Sequence, residues 1–475
     1  MENLQNTPKT LRIVMFPWLA MGHLIPFFHL SKVLAQKGHK ISYISTPRNL
    51  SRIPKIPPKL THNIKLVSLP FPNVESLPEH AESSMDIPHQ KAQFLKIAFD
   101  LLESPLVTFL ESTTPKPDWI IFDYASHWLP SVASKLGVST GYFSLFTAAT
   151  QAFLGPPSQL SNDKVKPRST VEDFCRVPEW VPPDSNIVYR PHEIMKYSEG
   201  AVGNESGVSD TVRFLSSIDG CDLVLFRTSV EFEPQWFQVV CELYQKPVIP
   251  VGVLPPSLEN HEFDDDYGNC DVEIGELTRW LDEQQANSVV FVALGSEAVL
   301  NDAELTELAL GLERSGLPFF WVIRKSVSDS IQTLPDGFLS RVKGRGIVYA
   351  GWVPQVRILS HFAIGGFLTH CGWNSVIEGL TFGRVLICFP VMNDQGLNSR
   401  LLSGKKLGVE IPRIEIDGSF TSEAVAESII VAMVSEEGEV LRANARDIKR
   451  VFGDKTKNDR YIDACIHHLV EMRKP

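Results

Sequence analysis

The chain has 475 residues, of which 43% are hydrophobic and 21% are charged. These values are ordinary for a globular protein, so they exclude a disordered, collagenous or coiled-coil chain. The net charge is -11 and no block of Lys and Arg is present, which argues against a protein that binds nucleic acid or an anionic membrane surface.

The N-terminal segment MENLQNTPKT lacks the basic-then-apolar order of a signal peptide. No stretch reaches the roughly 18 apolar residues of a membrane-spanning helix, so we predict that the chain does not insert into membranes. The seven cysteines are scattered and form no C-x-x-C pair. This pattern argues against a disulfide framework and against a zinc ribbon. It is typical of a protein in a reducing compartment, so we expect a cytoplasmic protein.

Short apolar or β-branched runs alternate with helical patterns along both halves of the chain. After the first run, apolar residues from Leu24 to Leu34 recur with a helical period, and Gly38 ends that helix. The predicted strands are 11–19, 41–46, 64–71, 118–124, 140–146 and 221–229 in the first half, and 288–296, 318–324, 346–353, 364–370 and 384–390 in the second. Apolar strands separated by helices indicate parallel sheets, so we predict an α/β fold with two doubly wound, Rossmann-like domains.

A stretch rich in Pro, Asp and Asn at 247–270 separates the two series of strands. We place the boundary there, with one domain at 1–250 and the other at 251–454. The last residues, 455–475, are predicted to form a terminal helix. Residues 155–215 are rich in Pro, Ser and Asp, and we interpret them as loops and short helices near a cleft.

The segment from Trp352 to Gln395 carries the most specific pattern. A strand there runs into a new helix at His370–Ser375, and a helix N-terminus at the carboxyl end of a parallel strand binds anions. Gly372 lets a ligand approach the backbone, and the residues after it add side-chain donors. Glu378 is suited to accept hydrogen bonds from ribose hydroxyls. Each feature alone is ordinary, as a helix cap, a core residue or a turn, but together they indicate a nucleotide site.

This segment resembles, position for position, the PSPG signature box of plant UDP-sugar-dependent glycosyltransferases, and the whole chain resembles that family from about residue 10 to 470. The resemblance implies the GT-B fold, in which two Rossmann-like domains face a cleft. The C-terminal domain would hold the nucleotide sugar and the N-terminal domain the acceptor. The terminal helix at 455–475 would cross back and pack on the N-terminal domain.

The resemblance also implies roles for individual residues of the donor site. Trp352 would stack on uracil and Val353 would contact it through its backbone, while Gln355 and Glu378 would hold the ribose. The diphosphate would contact Gly295, Ser296, His370, Gly372, Asn374 and Ser375, and the sugar would contact Trp373, Asp394 and Gln395. The family needs no metal and no further cofactor, and the sequence contains no D-x-D triplet near this segment.

A catalytic pair is expected in the first half. Family members transfer the sugar by an inverting displacement, in which a base activates the acceptor hydroxyl, and histidine suits that task. His23 matches the family's base, and we place it in a loop between the first strand and the first helix. Asp123 ends an apolar strand, where a charge needs a partner, and it matches the aspartate that orients the base. His29, Asp118 and His127 are neighbours to which we assign no catalytic role.

The acceptor pocket is predicted from apolar residues of the first domain, which suit a lipophilic small molecule. Its expected parts are Trp18, the 71–95 loop, Phe143, Phe146 and Phe153. The sequences VESLPEHAESSMDIP and PWLAMGH resemble the branch of the family that extends sugars already attached to terpenoids or flavonoids.

We therefore predict a monomeric UDP-glycosyltransferase that binds a UDP-sugar and a small-molecule acceptor. Glucose is favoured as the sugar, because Trp373, Asn374, Asp394 and Gln395 keep the forms from which several rhamnosyltransferases depart. Transfer of rhamnose and a non-catalytic metabolite-binding protein remain the alternatives. A nicotinamide oxidoreductase is disfavoured, because no G-x-G-x-x-G follows a predicted strand.

Overall fold

A computed structural model describes residues 10–159, 168, 170–195, 205–256, 271–323 and 334–474. Its backbone contains two parallel sheets, flanked by helices. The first has seven strands in the order β3-β2-β1-β4-β5-β6-β7, and the second has six in the order β10-β9-β8-β11-β12-β13. Both orders reverse direction beside the first strand of the sheet, which is the signature of a doubly wound α/β fold. The predicted fold class is confirmed.

The first sheet lies in the first half of the chain. Its strands are β1 (Arg12–Phe16), β2 (Lys40–Ser45), β3 (Ile64–Ser68), β4 (Trp119–Phe122), β5 (Ser139–Ser144), β6 (Leu223–Phe226) and β7 (Val248–Pro250). The central strands β4, β5 and β6 are buried along their whole length, because helices cover both faces of the sheet. This explains why they are continuous apolar runs in the sequence.

The second sheet lies in the second half. Its strands are β8 (Val289–Ala293), β9 (Phe319–Ile323), β10 (Gly346–Ala350), β11 (Ile364–Thr369), β12 (Val385–Cys388) and β13 (Gly408–Glu410). The eleven predicted strands all exist. The sequence analysis missed β7 and β13, which have three residues each: β7 falls in the stretch that we interpreted as the start of the linker, and β13 combines a glycine with a charged residue.

The longer helices connect the strands. They are Met21–Gln36, Ala92–Asp100, Glu103–Ser112, Leu129–Leu136, Asp210–Gly220, Pro234–Tyr244, Asp271–Asp282, Asp302–Arg314, Trp373–Thr381, Gln395–Gly404, Ser422–Met433, Glu439–Phe452 and Lys455–Met472. Shorter ones are Pro47–Leu50, Ala148–Leu154, Val171–Phe174, Phe338–Arg341 and Gln355–Ser360, with 3-10 turns at Pro58–Leu60, Ser84–Asp86, His89–Lys91 and Pro157–Gln159. No helix in the described ranges is long and apolar enough to cross a membrane.

The last helix packs on the first sheet, as the resemblance implied. Ile462, Cys465 and Leu469 belong to the same buried cluster as Ile13 and Met15 of β1. The indole N–H of Trp119, in β4, donates a hydrogen bond to the carbonyl of Leu469 (2.8 Å). The domain limits 1–250 and 251–454 stay a prediction, and residues 257–270 of the linker lie outside the described residues.

The first helix begins earlier than the sequence predicts, and this corrects the position of His23. The helix starts at Met21, so His23 lies in its first turn and not in a preceding loop. The N–H groups of His23 and Leu24 both donate to the carbonyl of Ala20 (2.9 Å each). The apolar period begins only at Leu24 because the residues of the first turn face a cleft and not the core.

Candidate active site

A cleft of about 1370 Å³ lies between the two sheets. It is lined by residues that follow strands of both sheets, as expected where the carboxyl ends of parallel strands face each other. All thirteen residues predicted to bind the UDP-sugar line this cleft, together with His23: Gly295, Ser296, Trp352, Val353, Gln355, His370, Gly372, Trp373, Asn374, Ser375, Glu378, Asp394 and Gln395. Sequence positions almost 400 residues apart therefore meet in one cavity.

His23 and Asp123 form a hydrogen-bonded pair at the edge of the first sheet. The strands β1 and β4 are parallel neighbours in register, with Phe16 beside Phe122, so the residues that follow them emerge together. His23 Nδ1 lies 2.8 Å from Asp123 Oδ2, and the Asp123 side chain is only 2% exposed. This contact leaves the other ring nitrogen, Nε2, as the one able to reach a ligand.

Backbone donors fix the Asp123 carboxylate in place. Oδ2 also accepts a hydrogen bond from the N–H of Trp18 (2.8 Å), and Oδ1 accepts one from the N–H of Ala125 (3.3 Å). A buried carboxylate is costly unless it is paired and hydrogen-bonded, and here both conditions are met. Asp123 can therefore hold the imidazole in one orientation with its proton on Nδ1.

The neighbouring ionisable residues do not join this pair. His29 also lines the cleft, six residues after His23. Burial lowers the pKa of His29 well below the ordinary histidine value, and the charges of Lys32 and Arg227 lower it further. His127 lies 4.0 Å from Asp100, on another part of the sheet edge. Asp118 accepts a hydrogen bond from the N–H of Arg12 (2.7 Å) at the opposite end of β4. These placements agree with giving none of the three a catalytic role.

His370 packs closely against two glycines, each of which follows a strand of the second sheet. A Cβ on Gly295 would lie 2.7 Å from the imidazole, and one on Gly372 would lie 2.5 Å from it, so neither position tolerates a side chain. Burial lowers the pKa of His370 to about 4, so the ring is neutral at pH 7. Its Nδ1 is buried and has no hydrogen-bond partner among the described residues. The ring is thus held rigidly beside the loop that follows β8.

Gly372 caps the Trp373–Thr381 helix, whose first turn opens into the cleft. The first intrahelical bond runs from the N–H of Val376 to the carbonyl of Gly372 (3.0 Å). The N–H groups of the preceding residues belong to the set that a helix leaves without an intrahelical partner. Together with the helix dipole, they make this point suitable for an anion such as a diphosphate.

Three polar side chains are connected next to this helix. The amide nitrogen of Gln355 donates to Glu378 (2.6 Å) and to the hydroxyl of Ser375 (3.2 Å). Burial raises the pKa of Glu378 above its ordinary value. Trp352 is 45% exposed, and it presents a flat aromatic surface to the same part of the cleft. This arrangement offers acceptors for hydroxyl groups beside a surface for a planar base.

The sequence analysis missed Arg227, which links the two halves of the site. Its guanidinium donates to the side-chain oxygen of Asn374 and to the carbonyl of Val253 (2.9 Å). The amide nitrogen of Asn374 is thereby directed to the carbonyl of Gly22 (3.0 Å), one residue before His23. That carbonyl is available because the residue four positions later, Pro26, has no N–H to donate.

Trp373 lines the cleft, and its contact with the sugar stays a prediction. Its indole is buried, stacks on Phe232 (5.6 Å between centroids) and donates its N–H to the carbonyl of Arg227 (2.8 Å). The aromatic side chain is therefore committed to packing between the two halves of the molecule. The backbone N–H of Trp373, in the first turn of the helix, belongs to the groups without an intrahelical partner and is suited to a ligand in the cleft.

Asp394 and Gln395 stand at the start of the Gln395–Gly404 helix. Burial raises the pKa of Asp394 to about 6, although a hydrogen bond from Asn398 (2.8 Å) and the nearby His23 oppose this effect. The side-chain oxygen of Gln395 accepts hydrogen bonds from the N–H groups of Val391 (2.9 Å) and Met392 (3.0 Å). The amide NH₂ of Gln395 is thus the group left for a ligand, and it can only donate.

The predicted acceptor residues divide into two sets. Trp18 and Phe146 line the cleft, as expected. Phe143 and Phe153 do not, and these two assignments are wrong: Phe143 packs against Phe27 (5.0 Å) in the core, and Phe153 packs against Tyr189 (5.5 Å). Phe143 lies in the core because its strand, β5, is buried on both faces. The wall is completed by Met85 and His89, which belong to the predicted 71–95 loop, and by Lys96, Tyr124 and Asp210, which were not predicted from the sequence.

In the described part of the chain, no group of three or more His, Cys, Asp and Glu residues is arranged to hold a metal ion. The expectation that no metal is needed stays a prediction. Phosphate charge can be met in this cleft by helix N–H groups and neutral side-chain donors.

Comparisons with known proteins agree with this architecture. A family model described as UDP-glucoronosyl and UDP-glucosyl transferase matches residues 255–442. UDP-glycosyltransferase 91C1 of Arabidopsis thaliana is 55% identical over 461 residues, which cover 97% of each chain. Soyasaponin III rhamnosyltransferase of Glycine max is 42% identical over 474 residues, which cover 100% of this chain and 98% of that one.

Among solved structures, UGT73P12 of Glycyrrhiza uralensis, complexed with glycyrrhetinic acid 3-O-monoglucuronide, is similar to this chain with a TM-score of 0.79 at 22% identity. The similarity covers 98% of this chain and 96% of that one. The fold is therefore that of the GT-B glycosyltransferases. The chain belongs to the plant UDP-glycosyltransferases, and within them it is related to members that act on glycosides. It is an enzyme that transfers a sugar.

Proposed function

We propose that this enzyme transfers glucose from UDP-glucose, with inversion, to a hydroxyl of a small lipophilic plant metabolite or of a sugar already attached to it. The observation that carries this proposal is that the His23–Asp123 pair opens into the same cleft as the Trp352–Gln395 segment. A protein that only binds nucleotide sugars has no need for a histidine held by a buried carboxylate at that position.

In the proposed reaction, Asp123 holds the proton on Nδ1 of His23, so the lone pair of Nε2 faces the acceptor. Nε2 removes the proton of the acceptor hydroxyl while its oxygen attacks the anomeric carbon of the donor. The bond from that carbon to the β-phosphate oxygen breaks, and UDP leaves with the electron pair. The Asp123 carboxylate stabilises the imidazolium that forms, as in other histidine–carboxylate pairs.

The charge of the departing UDP would be met at the N-terminus of the Trp373–Thr381 helix. We assign the diphosphate to its free N–H groups, to Ser296, Asn374 and Ser375, and to the neutral ring of His370. Preorganised donors of this kind stabilise charge that develops in the transition state without reorganising. The close packing of His370 against Gly295 and Gly372 supports its inclusion, because it limits the orientations that the ring can take.

The uridine would lie on the exposed surface of Trp352, next to the backbone of Val353. Gln355 and Glu378 would hold the ribose, and the hydrogen bond between them (2.6 Å) supports this assignment because it fixes the acceptor oxygens. The sugar would lie between the backbone of Trp373, the carboxylate of Asp394 and the amide NH₂ of Gln395. One acceptor and one donor side by side match neighbouring equatorial hydroxyls, as in glucose.

A second donor is favoured by one relative. Soyasaponin III rhamnosyltransferase covers the whole chain, and its name gives rhamnose as the sugar. UDP-rhamnose is therefore the alternative to UDP-glucose. The acceptor in the name of that relative is a saponin, and this supports the proposal that the present enzyme extends an existing sugar. The aromatic side chains of Trp18, Tyr124 and Phe146 on the acceptor wall suit the lipophilic part of such a molecule.

We place this activity in the cytoplasm and assign it to a monomer. The six described cysteines are free thiols, and four of them are buried, which supports a reducing compartment.

Competition between donors tests the proposal. The purified enzyme is given equal concentrations of UDP-glucose and UDP-rhamnose with aglycones and monoglycosides of flavonoids and terpenoids, and the products are separated by mass. We expect mainly hexosyl products, and a separate reaction with UDP-galactose should be slower than the reaction with UDP-glucose. Mainly deoxyhexosyl products would show that the preferred donor is UDP-rhamnose and not UDP-glucose. UDP binding without any transfer would contradict the catalytic function itself.

A further inference from the structure

One ion pair on the acceptor wall has no role in the proposed transfer. The ammonium of Lys96 lies 2.7 Å from Asp210 Oδ2 and 2.6 Å from Oδ1. The two side chains are only 6% and 16% exposed, and both residues line the cleft. The pair therefore combines burial within the protein with access to the cavity.

The position of the pair is fixed by two helices. Lys96 belongs to the Ala92–Asp100 helix, and Asp210 is the first residue of the Asp210–Gly220 helix. Side chains three or four positions apart in a helix are neighbours on one face. One turn after Lys96, Phe99 packs edge-on against Trp18 (5.1 Å between centroids).

The second helix makes the equivalent contact. One turn after Asp210, Phe214 packs edge-on against Phe146 (5.9 Å). Because Trp18 and Phe146 both line the cleft, the ion pair lies between two aromatic contacts of the acceptor wall. The Trp18 contact also links it to the catalytic pair, since the N–H of Trp18 donates to Asp123.

Both members of the pair keep hydrogen-bonding capacity for a ligand. An ammonium has three donors, and that of Lys96 contacts the two carboxylate oxygens of Asp210, which leaves a donor for a ligand. Asp210 Oδ1 is buried and lies 2.6 Å from the same ammonium, so its charge is met within the pair. A carboxylate has about four acceptor sites on its two oxygens, so lone pairs remain for a hydroxyl group of a ligand.

A charged pair inside an aromatic wall is a poor way to gain stability, because the desolvation cost offsets much of the attraction. It is a good way to select a ligand, because a donor and an acceptor side by side match a group that both donates and accepts. Neighbouring hydroxyls of a sugar ring have this property, whereas the ring system of a lipophilic aglycone does not.

We infer that Lys96 and Asp210 form a subsite for the sugar hydroxyls of a glycoside acceptor. The inference rests on the proposed function, because it specifies the acceptor class for the same cleft. In this arrangement the pair binds the sugar that the acceptor already carries, and the aromatic residues beside it bind the aglycone. The subsite would make the enzyme prefer a glycoside to the free aglycone.

Equilibrium binding tests the subsite without requiring turnover. The enzyme is saturated with UDP and titrated by calorimetry with a flavonol 3-O-glucoside, a triterpenoid 3-O-glucoside and the two aglycones. We expect the wild type to bind at least one glucoside more tightly than its aglycone. Lys96→Met and Asp210→Asn should each lower the affinity for that glucoside by about 10-fold, the usual effect of a lost hydrogen bond to a charged group. The affinity for the aglycone should stay unchanged.

Two further variants separate the subsite from a structural role. Lys96→Arg keeps the charge and the donors, so it should retain most of the preference for the glucoside. Lys37→Met is the matched control, because Lys37 forms a comparable ion pair with Asp463 (2.6 Å) on the outer surface of the protein. It should leave the binding of both ligands unchanged.

The inference is overturned if the wild type binds neither glucoside more tightly than its aglycone. It is also overturned if Lys96→Met and Asp210→Asn weaken glucoside and aglycone equally, which is the result for a pair that only supports the fold. The proposed function is decided by a different readout, the transfer of sugar by the wild type. Transfer with no effect of the pair on binding would retain the function and remove the subsite.

Discussion

The two walls of the cleft are organised in opposite ways. On the donor wall, polar side chains already bind each other or the backbone: Gln355 binds Glu378, and Gln395 binds the loop before it. On the acceptor wall, the aromatic side chains of Trp18, Tyr124 and Phe146 lie among polar groups from separate segments, and these groups include the His23–Asp123 and Lys96–Asp210 pairs. A prearranged hydrogen-bond network suits one invariant ligand, whereas an aromatic wall with a few polar groups suits a variable one.

This difference separates binding from chemistry. If the donor wall binds UDP by itself, a change on the acceptor wall should alter turnover without altering UDP affinity. Conversely, changes at the sugar end of the donor wall should alter the use of UDP-glucose without affecting the catalytic pair. The predictions below test these two statements, and they are arranged by the size of the expected effect.

The largest effect is expected from His23→Ala. Turnover should fall by about 10²–10⁴-fold, which is the usual contribution of a positioned base, while UDP binding stays near the wild-type value. Initial rates and calorimetric titration with UDP measure the two quantities. His62→Ala, at an exposed histidine in the turn before β3, serves as the control and should retain wild-type turnover. Near-normal turnover of His23→Ala would remove His23 from the mechanism.

A smaller effect is expected at Gln395. Because its oxygen binds the Val391 and Met392 N–H groups, Gln395→Ala should lower both thermal stability and kcat/KM for UDP-glucose. Gln395→Glu keeps an oxygen for the loop and removes the NH₂ donor, so it should retain the melting temperature. We expect both variants to lose about 1–3 kcal/mol of transition-state stabilisation. Wild-type kcat/KM in Gln395→Glu would show that the amide does not contact the sugar.

The smallest effect concerns the pH dependence of stability. The pKa of Asp394 is raised to about 6 in the folded protein, so the native state holds a proton there that the unfolded chain releases near pH 4. The free energy of unfolding should therefore fall as the pH rises from about 4 to 6, and the cost of the buried charge is complete above that window.

Asp394→Asn should remove this dependence. In the absence of UDP-sugar, the variant should be more stable than the wild type above pH 6 by about 1–2 kcal/mol. This is less than the full pKa difference would give, because water reaches the carboxyl from the cleft. Below pH 4 the two proteins should be alike. Urea unfolding at several pH values measures the difference, and parallel curves across the range would contradict the assignment.

The donor wall could be predicted from the sequence because its parts follow one another along the chain. All of its predicted residues from Trp352 to Gln395 line the cleft. The acceptor wall could not, since it is assembled from separate segments around Trp18, Met85, Tyr124 and Asp210. Apolar residues of such segments have the same appearance whether they face a cavity or the core, and for this reason Phe143 and Phe153 were assigned to the wrong place.

Arg227 shows what a better sequence analysis could have used. It follows the apolar strand LVLF directly, as Asp123 follows WIIF, and a charge at the carboxyl end of a buried parallel strand indicates a cleft. The identity of its partner, Asn374, could not be predicted, because the two residues belong to different sheets. The same holds for Trp373, whose indole contacts a residue far away in the sequence.

The central claim is that His23 and Asp123 act as one unit on the acceptor hydroxyl while the donor wall binds UDP independently. A double-mutant cycle of His23→Ala and Asp123→Asn, measured as kcat with saturating UDP-glucose, tests it most directly. We expect Asp123→Asn alone to lower kcat by a similar or smaller factor than His23→Ala, about 10–10³-fold. The double variant should then be no slower than His23→Ala, with UDP affinity unchanged. If the two losses multiply, or if Asp123→Asn lowers only the melting temperature, Asp123 does not act through His23.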